Sequence, residues 1–373
     1  MRLPDFRLER YFARWEFNAP YILCSSDVEG MSLAELLELA DEQSLDLWQR
    51  LTLGYTETPG HPLLRAEIAR MYERVSAEQV YTFAGAGEAI FVTLSALLGP
   101  GDHVIVTWPA YQSLYEVARA AGAEVDLLPL HERDGWIPDV DRLRALLRPS
   151  TRLIITNFPH NPTGALPSRA AFDRIVELAR EAGVWLFSDE VYRELEHDPA
   201  HRLPAAVDRY ERAVSLGVMS KSYGLAGLRL GWIATRDAEV LDRAARLKDY
   251  ITICTSAPSE ILALIALRAR DRVVRRSLDI VRPNIALLDR FFEEWKGTFS
   301  WVRPRAGSIG FPRLDADISI DRFAADLVEQ EGVLLLPGSA YAYDGNHFRI
   351  GFARRNMPEA VERLDRFARR ALG

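Results

Sequence analysis

The chain has 373 residues, of which 48% are hydrophobic and 27% are charged, and its formal net charge is −7. This composition is typical of a globular protein with room for one large and one small domain, and the acidic balance gives no sign of nucleic-acid binding. Two cysteines are too few for a disulfide framework or a zinc site. The N-terminus lacks an apolar signal sequence, and no run approaches the roughly 18 apolar residues of a membrane span. We therefore expect a cytoplasmic protein with neither a metal nor a membrane contact.

The first 30 residues are rich in aromatic side chains but show no regular pattern. We expect them to form an irregular arm that lies on other parts of the structure. Helical spacing of apolar residues follows at 31–42 and again at 62–74.

From about residue 80 the chain alternates between short apolar strands and helices. Strands are predicted at 80–83, 103–108, 124–129, 152–157, 184–188, 213–218 and 230–234. This alternation predicts a mostly parallel sheet covered by helices on both faces. Ligands of such sheets bind outside the carboxyl ends of the strands, so chemically active residues at those ends are the candidates for a site.

The C-terminal third has a different pattern. Residues 257–295 are helical with an interruption at Pro283, and short strands then accompany helices at 320–331 and 357–371. This predicts a smaller α+β unit joined through a long helix. The expected division is an arm and part of the small domain at 1–45, a large domain at 46–256, and the linking helix with the small domain at 257–373.

A lysine follows directly after the predicted strand Ala213–Val218, in the run VMSKSYGLAGLRLGW. The amine of Lys221 can form a Schiff base with an aldehyde cofactor and then act as acid and base. A surface lysine is the common alternative, but it is less expected at the end of an apolar strand. Arg229, eight residues later, can bind a phosphate through two hydrogen bonds, or it can be an ordinary ion-paired arginine.

Three further motifs also lie at predicted strand ends. Asp189 ends the strand 184–188 and can pair with a protonated ring nitrogen, although a helix cap is the simpler interpretation. Asn161 lies in NFPHNPTG, which on its own is a turn signal. The run Gly85-Ala86-Gly87 opens a helix and lets backbone N–H groups approach a phosphate, or it is simply a tight turn.

Together these motifs resemble the coenzyme-binding segments of pyridoxal-phosphate enzymes of the aspartate aminotransferase type, in class I/II and fold type I. The resemblance covers most of the chain from Tyr55 onward. It implies an α/β fold with a mostly parallel, seven-stranded-type sheet between helices, plus a small α+β C-terminal domain. The residues that carry it stand in the expected order, namely Asn161, Asp189, Tyr192, Lys221, Arg229 and Arg349.

The resemblance implies roles around the cofactor ring. Lys221 would hold pyridoxal phosphate, and Asp189 would keep the pyridine nitrogen protonated. Tyr192 and Asn161 would contact the phenolic oxygen of the ring. Tyr111 would stack on the ring, although a tyrosine packed in the core is an equal alternative.

It also implies a phosphate site and a second subunit. The phosphate would contact the segment Ala86, Gly87 and Glu88 together with Ser220 and Arg229 of the same subunit. Tyr55 would reach the phosphate of the neighbouring subunit. We therefore expect a homodimer with shared active sites.

Arg349 lies inside the apolar strand HFRIGFA, where an unpaired charge is costly. The resemblance implies that it binds the α-carboxylate of the substrate, with Asn161 as a second substrate contact. The alternative is an internal salt bridge with a carboxylate of the protein.

Two features depart from the family pattern. Val218 stands where a phosphate-binding serine is usual, so Ser220 or Ser222 would have to replace it. The N-terminal segment carries Asp27 and Glu29, which could face a basic substrate end or simply be solvated or cap the helix at 31–42. We expect this segment to set the substrate specificity.

The predicted function is an aminotransferase that moves the amino group of an L-amino acid to a 2-keto acid through Lys221. The alternative on the same scaffold is a lyase, decarboxylase or cyclase acting on a modified amino acid, as in secondary metabolism. A regulatory module is disfavoured because no DNA-binding motif precedes Tyr55. A NAD-dependent oxidoreductase is disfavoured because the chain has no strand–GxGxxG–helix unit.

Overall fold

The computed structural model describes residues 2–372. The helices are α1 Arg7–Trp15, α2 Leu33–Leu37, α3 Glu42–Gln49, α4 Pro62–Ala69, α5 Ala86–Leu97, α6 Ser113–Ala120, α7 Val140–Leu146, α8 Arg169–Ala182, α9 Ala206–Arg209, α10 Ala238–Lys248, α11 Ala257–Arg268, α12 Arg270–Glu294, α13 Ile320–Glu331 and α14 Met357–Ala371. The strands are β1 Tyr21–Ile22, β2 Val80–Phe83, β3 His103–Trp108, β4 Glu124–Pro129, β5 Thr151–Asn157, β6 Trp185–Asp189, β7 Ala213–Val218, β8 Gly231–Thr235, β9 Phe299–Ser300, β10 Ile309–Gly310, β11 Arg313–Leu314, β12 Val333–Leu334, β13 Leu336–Pro337 and β14 Phe348–Gly351.

The central sheet has seven strands in the order β2-β8-β7-β6-β5-β3-β4. Only β8 runs antiparallel to its neighbours, and the other adjacent pairs are parallel. Val104 and Val106 of β3 pack with α5, α6 and α10, whereas Ile105 packs with α7 and α8 on the opposite face. Because both faces are covered, the strands are continuously apolar, and the predicted α/β fold is confirmed.

The register of this sheet brings several loops to one edge. Asn157 pairs with Asp189 between β5 and β6, and Asp189 pairs with Leu216 of β7. All three strands run parallel, so their carboxyl ends meet at the same edge. The loop that carries Lys221 begins there, directly after β7.

The C-terminal part contains a three-stranded antiparallel sheet in the order β10-β14-β13 and two small two-stranded sheets. One of these pairs β1 with β12, so the N-terminal segment joins the C-terminal part of the chain. The proposed domain boundaries remain a prediction. No helix among residues 2–372 is both long and apolar enough to cross a membrane.

The first segment differs from the expectation of an irregular arm, because Arg7–Trp15 forms a regular helix. Leu8 and Phe12 of this helix are buried against the C-terminal part. Leu8, Tyr11, Phe12 and Trp15 have the spacing of one helical face, so the sequence did contain the signal.

Two helical regions also have different breaks from those predicted. The region 31–42 is split into α2 and α3, because Asp41 caps α3 by accepting a hydrogen bond from the Ser44 N–H. The region 257–295 breaks at Ala269, and Pro283 lies inside the continuous helix α12. Val281 and Ile285 on either side of Pro283 are buried, so packing outweighs the roughly 3 kcal/mol that an interior proline costs.

Candidate active site

A cavity of about 390 Å³ lies at the carboxyl edge of the central sheet. Loops that follow β2, β3, β5, β6 and β7 line it, together with β14 and α1. Ten of the residues proposed from the sequence lie in its wall, namely Ala86, Gly87, Tyr111, Asn161, Asp189, Tyr192, Ser220, Lys221, Arg229 and Arg349. The fold therefore brings most of the predicted site together in one cavity.

Lys221 projects into this cavity from the loop after β7. Its Nζ donates a hydrogen bond to Oγ of Ser26 at 2.8 Å and lies 5.9 Å from the centre of the Tyr192 ring. Burial lowers the pKa of Lys221 to about 8, although the carboxylates of Asp27 and Asp189 act in the opposite direction. A lysine with this pKa has an appreciable neutral fraction near pH 7.5 and can act as a nucleophile or a base.

Asp189 is buried at the end of β6, with 4% of its surface exposed. Its carboxylate accepts a hydrogen bond from the Val191 N–H at 3.2 Å, and burial raises its pKa to about 7. A buried carboxylate of this kind favours a cationic partner. The protonated nitrogen of a pyridine ring would provide one.

Two side chains next to Asp189 offer donors for a ligand oxygen. The amide oxygen of Asn161 accepts from the Tyr341 hydroxyl at 2.8 Å, which leaves the amide nitrogen free to donate. The Tyr192 hydroxyl is buried and has no hydrogen-bond partner among the described residues. Since buried hydroxyls are normally paired, Tyr192 is placed to bind a ligand.

The N-terminus of α5 forms a cradle for an anion. Gly85 has a φ of +88°, and a Cβ atom at this position would lie only 2.8 Å from Nη2 of Arg229. The guanidinium of Arg229 therefore lies against Gly85 at the start of α5, and Ser220 lines the same cavity. Helix N-termini and arginine both favour phosphate.

The cavity as a whole fits pyridoxal phosphate. It offers an amine for the aldehyde and a carboxylate for the ring nitrogen. It also offers two donors for the ring oxygen and a positive cradle for the phosphate. Of the two serines considered in place of the residue at Val218, Ser220 faces the cavity, whereas the Ser222 hydroxyl donates to the Arg193 carbonyl at 2.6 Å.

Arg349 is almost fully buried on β14, with 1% of its surface exposed. Its Nε donates to the Cys24 carbonyl at 2.9 Å and its Nη1 to the Tyr341 hydroxyl at 2.5 Å. Within residues 2–372 it forms no salt bridge, and its Nη2 has no hydrogen-bond partner. The alternative of an internal ion pair is therefore not realised, and the free edge of the guanidinium suits a carboxylate.

Two predicted residues lie outside the cavity. The Glu88 carboxylate accepts hydrogen bonds from the Ala84 N–H and from the Thr252 hydroxyl, so it holds the turn before α5 and does not face the phosphate cradle. The expected contact of the segment Ala86, Gly87 and Glu88 with the phosphate would therefore not use the Glu88 side chain, and the contact itself stays a prediction. Tyr55 is 88% exposed and does not reach the cavity of its own chain.

The N-terminal segment contributes more than the sequence suggested. Asp27 lines the cavity and pairs with Arg354 at 2.9 Å, whereas Glu29 pairs with Arg355 at 2.7 Å and lies outside it. The inner face of α1 also lines the cavity, and sequence reasoning missed this set, which comprises Leu8, Glu9, Phe12 and Glu16. Glu9, Phe12 and Glu16 follow Leu8 by one, four and eight residues. This spacing places the four side chains near one face of a helix, and it was the signal in the sequence.

Comparison with known proteins adds independent evidence. A family model described as aminotransferase class I and II matches residues 21–366. The chain is 32% identical to capreomycidine synthase of Streptomyces vinaceus over 353 residues, covering 94% of this chain and 90% of that protein. Its fold is similar to a PLP-dependent aminotransferase from Streptococcus suis, with a TM-score of 0.93, 34% identity and 99% of both chains covered. It is also similar to the PLP-dependent cyclase OrfR, with a TM-score of 0.90, 30% identity and coverage of 99% and 98%.

Proposed function

The chain belongs to the class I and II aminotransferase family, whose members depend on pyridoxal phosphate, and from this premise we propose that it transfers the amino group of an L-amino acid to a 2-keto acid. One observation carries the proposal. Lys221, the buried carboxylate of Asp189 and the free guanidinium edge of Arg349 line a single cavity. These are the groups needed to bind an amino acid next to a pyridine ring and to move its Cα proton.

The chain's own residues divide this work. Bound pyridoxal phosphate supplies a ring that accepts the electron pair released when the Cα–H bond breaks. Arg349 holds the substrate carboxylate through Nη2, and Tyr111 packs on the ring. Lys221 takes the proton from Cα, because its lowered pKa gives the free amine an appreciable neutral fraction that can accept it. Asp189 keeps the ring nitrogen protonated by providing the opposite charge.

We propose further that two copies form a dimer with shared sites. Five large apolar side chains are exposed on adjoining segments, namely Leu53, Tyr55, Tyr250, Ile251 and Ile253. The segments meet where the Thr56 hydroxyl donates to the Thr255 carbonyl at 3.0 Å. Apolar patches of this kind need covering, and a second copy would place Tyr55 at the phosphate cradle of its partner.

The proposal is tested by single-turnover chemistry. Purified enzyme loaded with pyridoxal phosphate is mixed with a panel of L-amino acids without a keto-acid acceptor. Transamination should release one equivalent of 2-keto acid per active site and then stop until an acceptor is added. If no amino acid yields a keto acid, with or without an acceptor, transamination is refuted.

A second candidate is elimination or cyclisation of a modified amino acid. It is favoured by the similarity to capreomycidine synthase and to the cyclase OrfR over nearly the whole chain. Such a reaction regenerates the cofactor in every cycle, so it needs no acceptor. Continued consumption of an amino acid over many turnovers without acceptor would select this candidate, whether it yields a cyclic product or releases ammonia and a keto acid that has lost the β-substituent.

A further inference from the structure

The inner face of α1 forms one wall of the active-site cavity. Glu9 and Phe12 lie on this face, and Glu16, the C-terminal cap of the helix, continues it by about one turn. The helix is held in place at both ends of its contact surface. The Tyr11 hydroxyl donates to the Leu335 carbonyl at 2.8 Å, and the Arg7 N–H donates to Oε1 of Gln112 at 3.0 Å.

The position of α1 places it beside the expected substrate anchor. The guanidinium carbon of Arg349 lies 5.7 Å from the centre of the Phe12 ring. Glu9 and Glu16 lie about one helical turn, roughly 5.4 Å, to either side of Phe12. An amino acid with its carboxylate at Arg349 can therefore extend its side chain along this face.

The charges of the cavity do not balance without a further cation. Asp27 is paired with Arg354, and the cofactor would occupy Asp189 and Arg229. Neither Glu9 nor Glu16 forms a salt bridge within the described part of the chain. The Glu9 carboxylate accepts only a long hydrogen bond of 3.5 Å from the Tyr111 hydroxyl.

The surroundings of Glu16 agree with a missing positive partner. Burial raises the pKa of Glu16, and the nearby carboxylates of Asp27 and Glu9 raise it further, while Arg354 and Lys221 act in the opposite direction without reversing the rise. Independently of these acids, the buried Tyr192 hydroxyl lines the same cavity and has no hydrogen-bond partner among the described residues. The cavity thus offers Arg349 to the anionic end of a ligand, and it offers the carboxylates of Glu9 and Glu16 about one helical turn to either side of the neighbouring Phe12.

We propose that the substrate is an L-amino acid whose side chain ends in a cation, which Glu9 and Glu16 of α1 bind. The proposal rests on the amino-acid chemistry proposed above. It names the substrate class of that site, namely amino acids whose side chain ends in a guanidinium or ammonium group. Phe12 packs against the aliphatic part of this side chain between the two carboxylates.

Equilibrium binding to the holoenzyme tests this directly. The dissociation constant is measured from the change in visible absorbance of the bound cofactor as amino acids are added. L-Arginine is compared with L-citrulline, which has the same shape without the charge, and L-lysine with L-norleucine. Because charge-assisted hydrogen bonds carry the difference, the cationic member of the preferred pair should bind about 10- to 100-fold more tightly.

Variants assign the effect to the helix. In E9Q/E16Q the preference for the cation should fall to within about threefold, while binding of the neutral member changes little. The single variants E9Q and E16Q show how much of the lost cation preference each carboxylate accounts for. E29Q is the matched control, since Glu29 lies in the same segment but pairs with Arg355 outside the cavity, and it should keep the full preference.

The outcomes separate this inference from the proposed reaction. Equal binding of charged and neutral members, or a preference that survives in E9Q/E16Q, overturns the cation site even if keto acid is produced. A cation preference lost in E9Q/E16Q supports it, even if the bound amino acid is never converted to a keto acid. In that second case the aminotransferase proposal fails and the substrate class stands.

Discussion

Replacement of Asp189 by asparagine isolates the charge of the carboxylate that faces the ring nitrogen. Asparagine has nearly the same shape, and its amide oxygen can still accept the hydrogen bond from Val191. The exchange therefore removes the buried negative charge and leaves the backbone contact. The cofactor-free protein is the informative form, because in it no pyridine nitrogen balances this charge.

The magnitude follows from the two pKa values of Asp189. Burial raises the pKa in the folded protein to about 7 from an ordinary value of 3.8. Between these values the folded state keeps a proton that the unfolded state has released, so the free energy of unfolding falls as the pH rises. The slope is about 1.4 kcal/mol per pH unit, and the loss approaches about 4 kcal/mol above pH 7.

The assay compares urea unfolding of the cofactor-free wild type and D189N at one protein concentration, at several pH values from 5 to 8. Other titrating groups are common to both proteins and largely cancel in the difference. D189N should gain stability relative to the wild type by about 1.4 kcal/mol per pH unit up to pH 7, and the gain should then level off. Pyridoxal phosphate should cancel much of the difference, because it stabilises the wild type more.

D27N provides a control with the opposite sign. Burial opposes ionisation of Asp27, but Arg354 and Lys221 outweigh it and hold its pKa below the ordinary value. Its own contribution is complete above pH 4 and is lost only at lower pH, and Lys221, whose pKa Asp27 raises, titrates near pH 8, so the difference between D27N and wild type should be nearly flat from pH 5 to 7. An equally flat difference for D189N would refute the argument that Asp189 is a buried carboxylate awaiting a cation.

Further predictions address the other groups of the site. K221A should lose turnover by at least about a thousandfold while remaining folded, measured as keto acid formed per site and by circular dichroism; normal steady-state activity would contradict the role of Lys221. R349K keeps the positive charge but loses the paired N–H donors of the guanidinium, so KM should rise by about 10- to 100-fold with a smaller change in kcat. The control R355K, in the exposed pair with Glu29, should leave both KM and kcat unchanged. Mixed dimers of Y55F and K221A subunits should contain one intact site and exceed both parents in activity; activity no greater than that of the parents would argue against a shared site.

The fold could be predicted largely because its signals are local. Continuous apolar runs such as 103–108 and 213–218 can be satisfied only inside a sheet covered on both faces. The helix α1 was missed because the spacing of Leu8, Tyr11, Phe12 and Trp15 extends over only about two turns and an irregular segment follows it. The continuation of α12 through Pro283 depends on packing against other elements, which a local rule about proline does not contain.

The site was predicted where residues directly follow strands and could not be predicted where distant segments meet. Asn161, Asp189 and Lys221 belong to loops at neighbouring strand ends, so the sheet order alone brings them together. Glu88 lies in the right turn, yet its contact with Thr252 comes from a segment 164 residues away. Asp27, which lines the cavity, pairs with Arg354, whereas Glu29 pairs with Arg355 outside it. The two carboxylates stand two residues apart in one loop, so the sequence alone does not show which arginine each of them contacts.

The cavity separates groups that can transfer protons from groups that hold a fixed charge. Burial brings the pKa of Lys221 down to about 8, and burial raises the pKa of Glu16, so both move toward neutrality. Asp27 lies near both but is held ionised by Arg354, which makes it a poor acid. Transamination needs proton transfer at Cα and at the cofactor carbon, and Lys221 can supply both. Elimination from Cβ also needs a proton for the leaving group, in addition to the removal of the Cα proton by Lys221. The two candidate reactions therefore make the same demand on Lys221 at Cα and differ in whether a second proton must reach the substrate side chain.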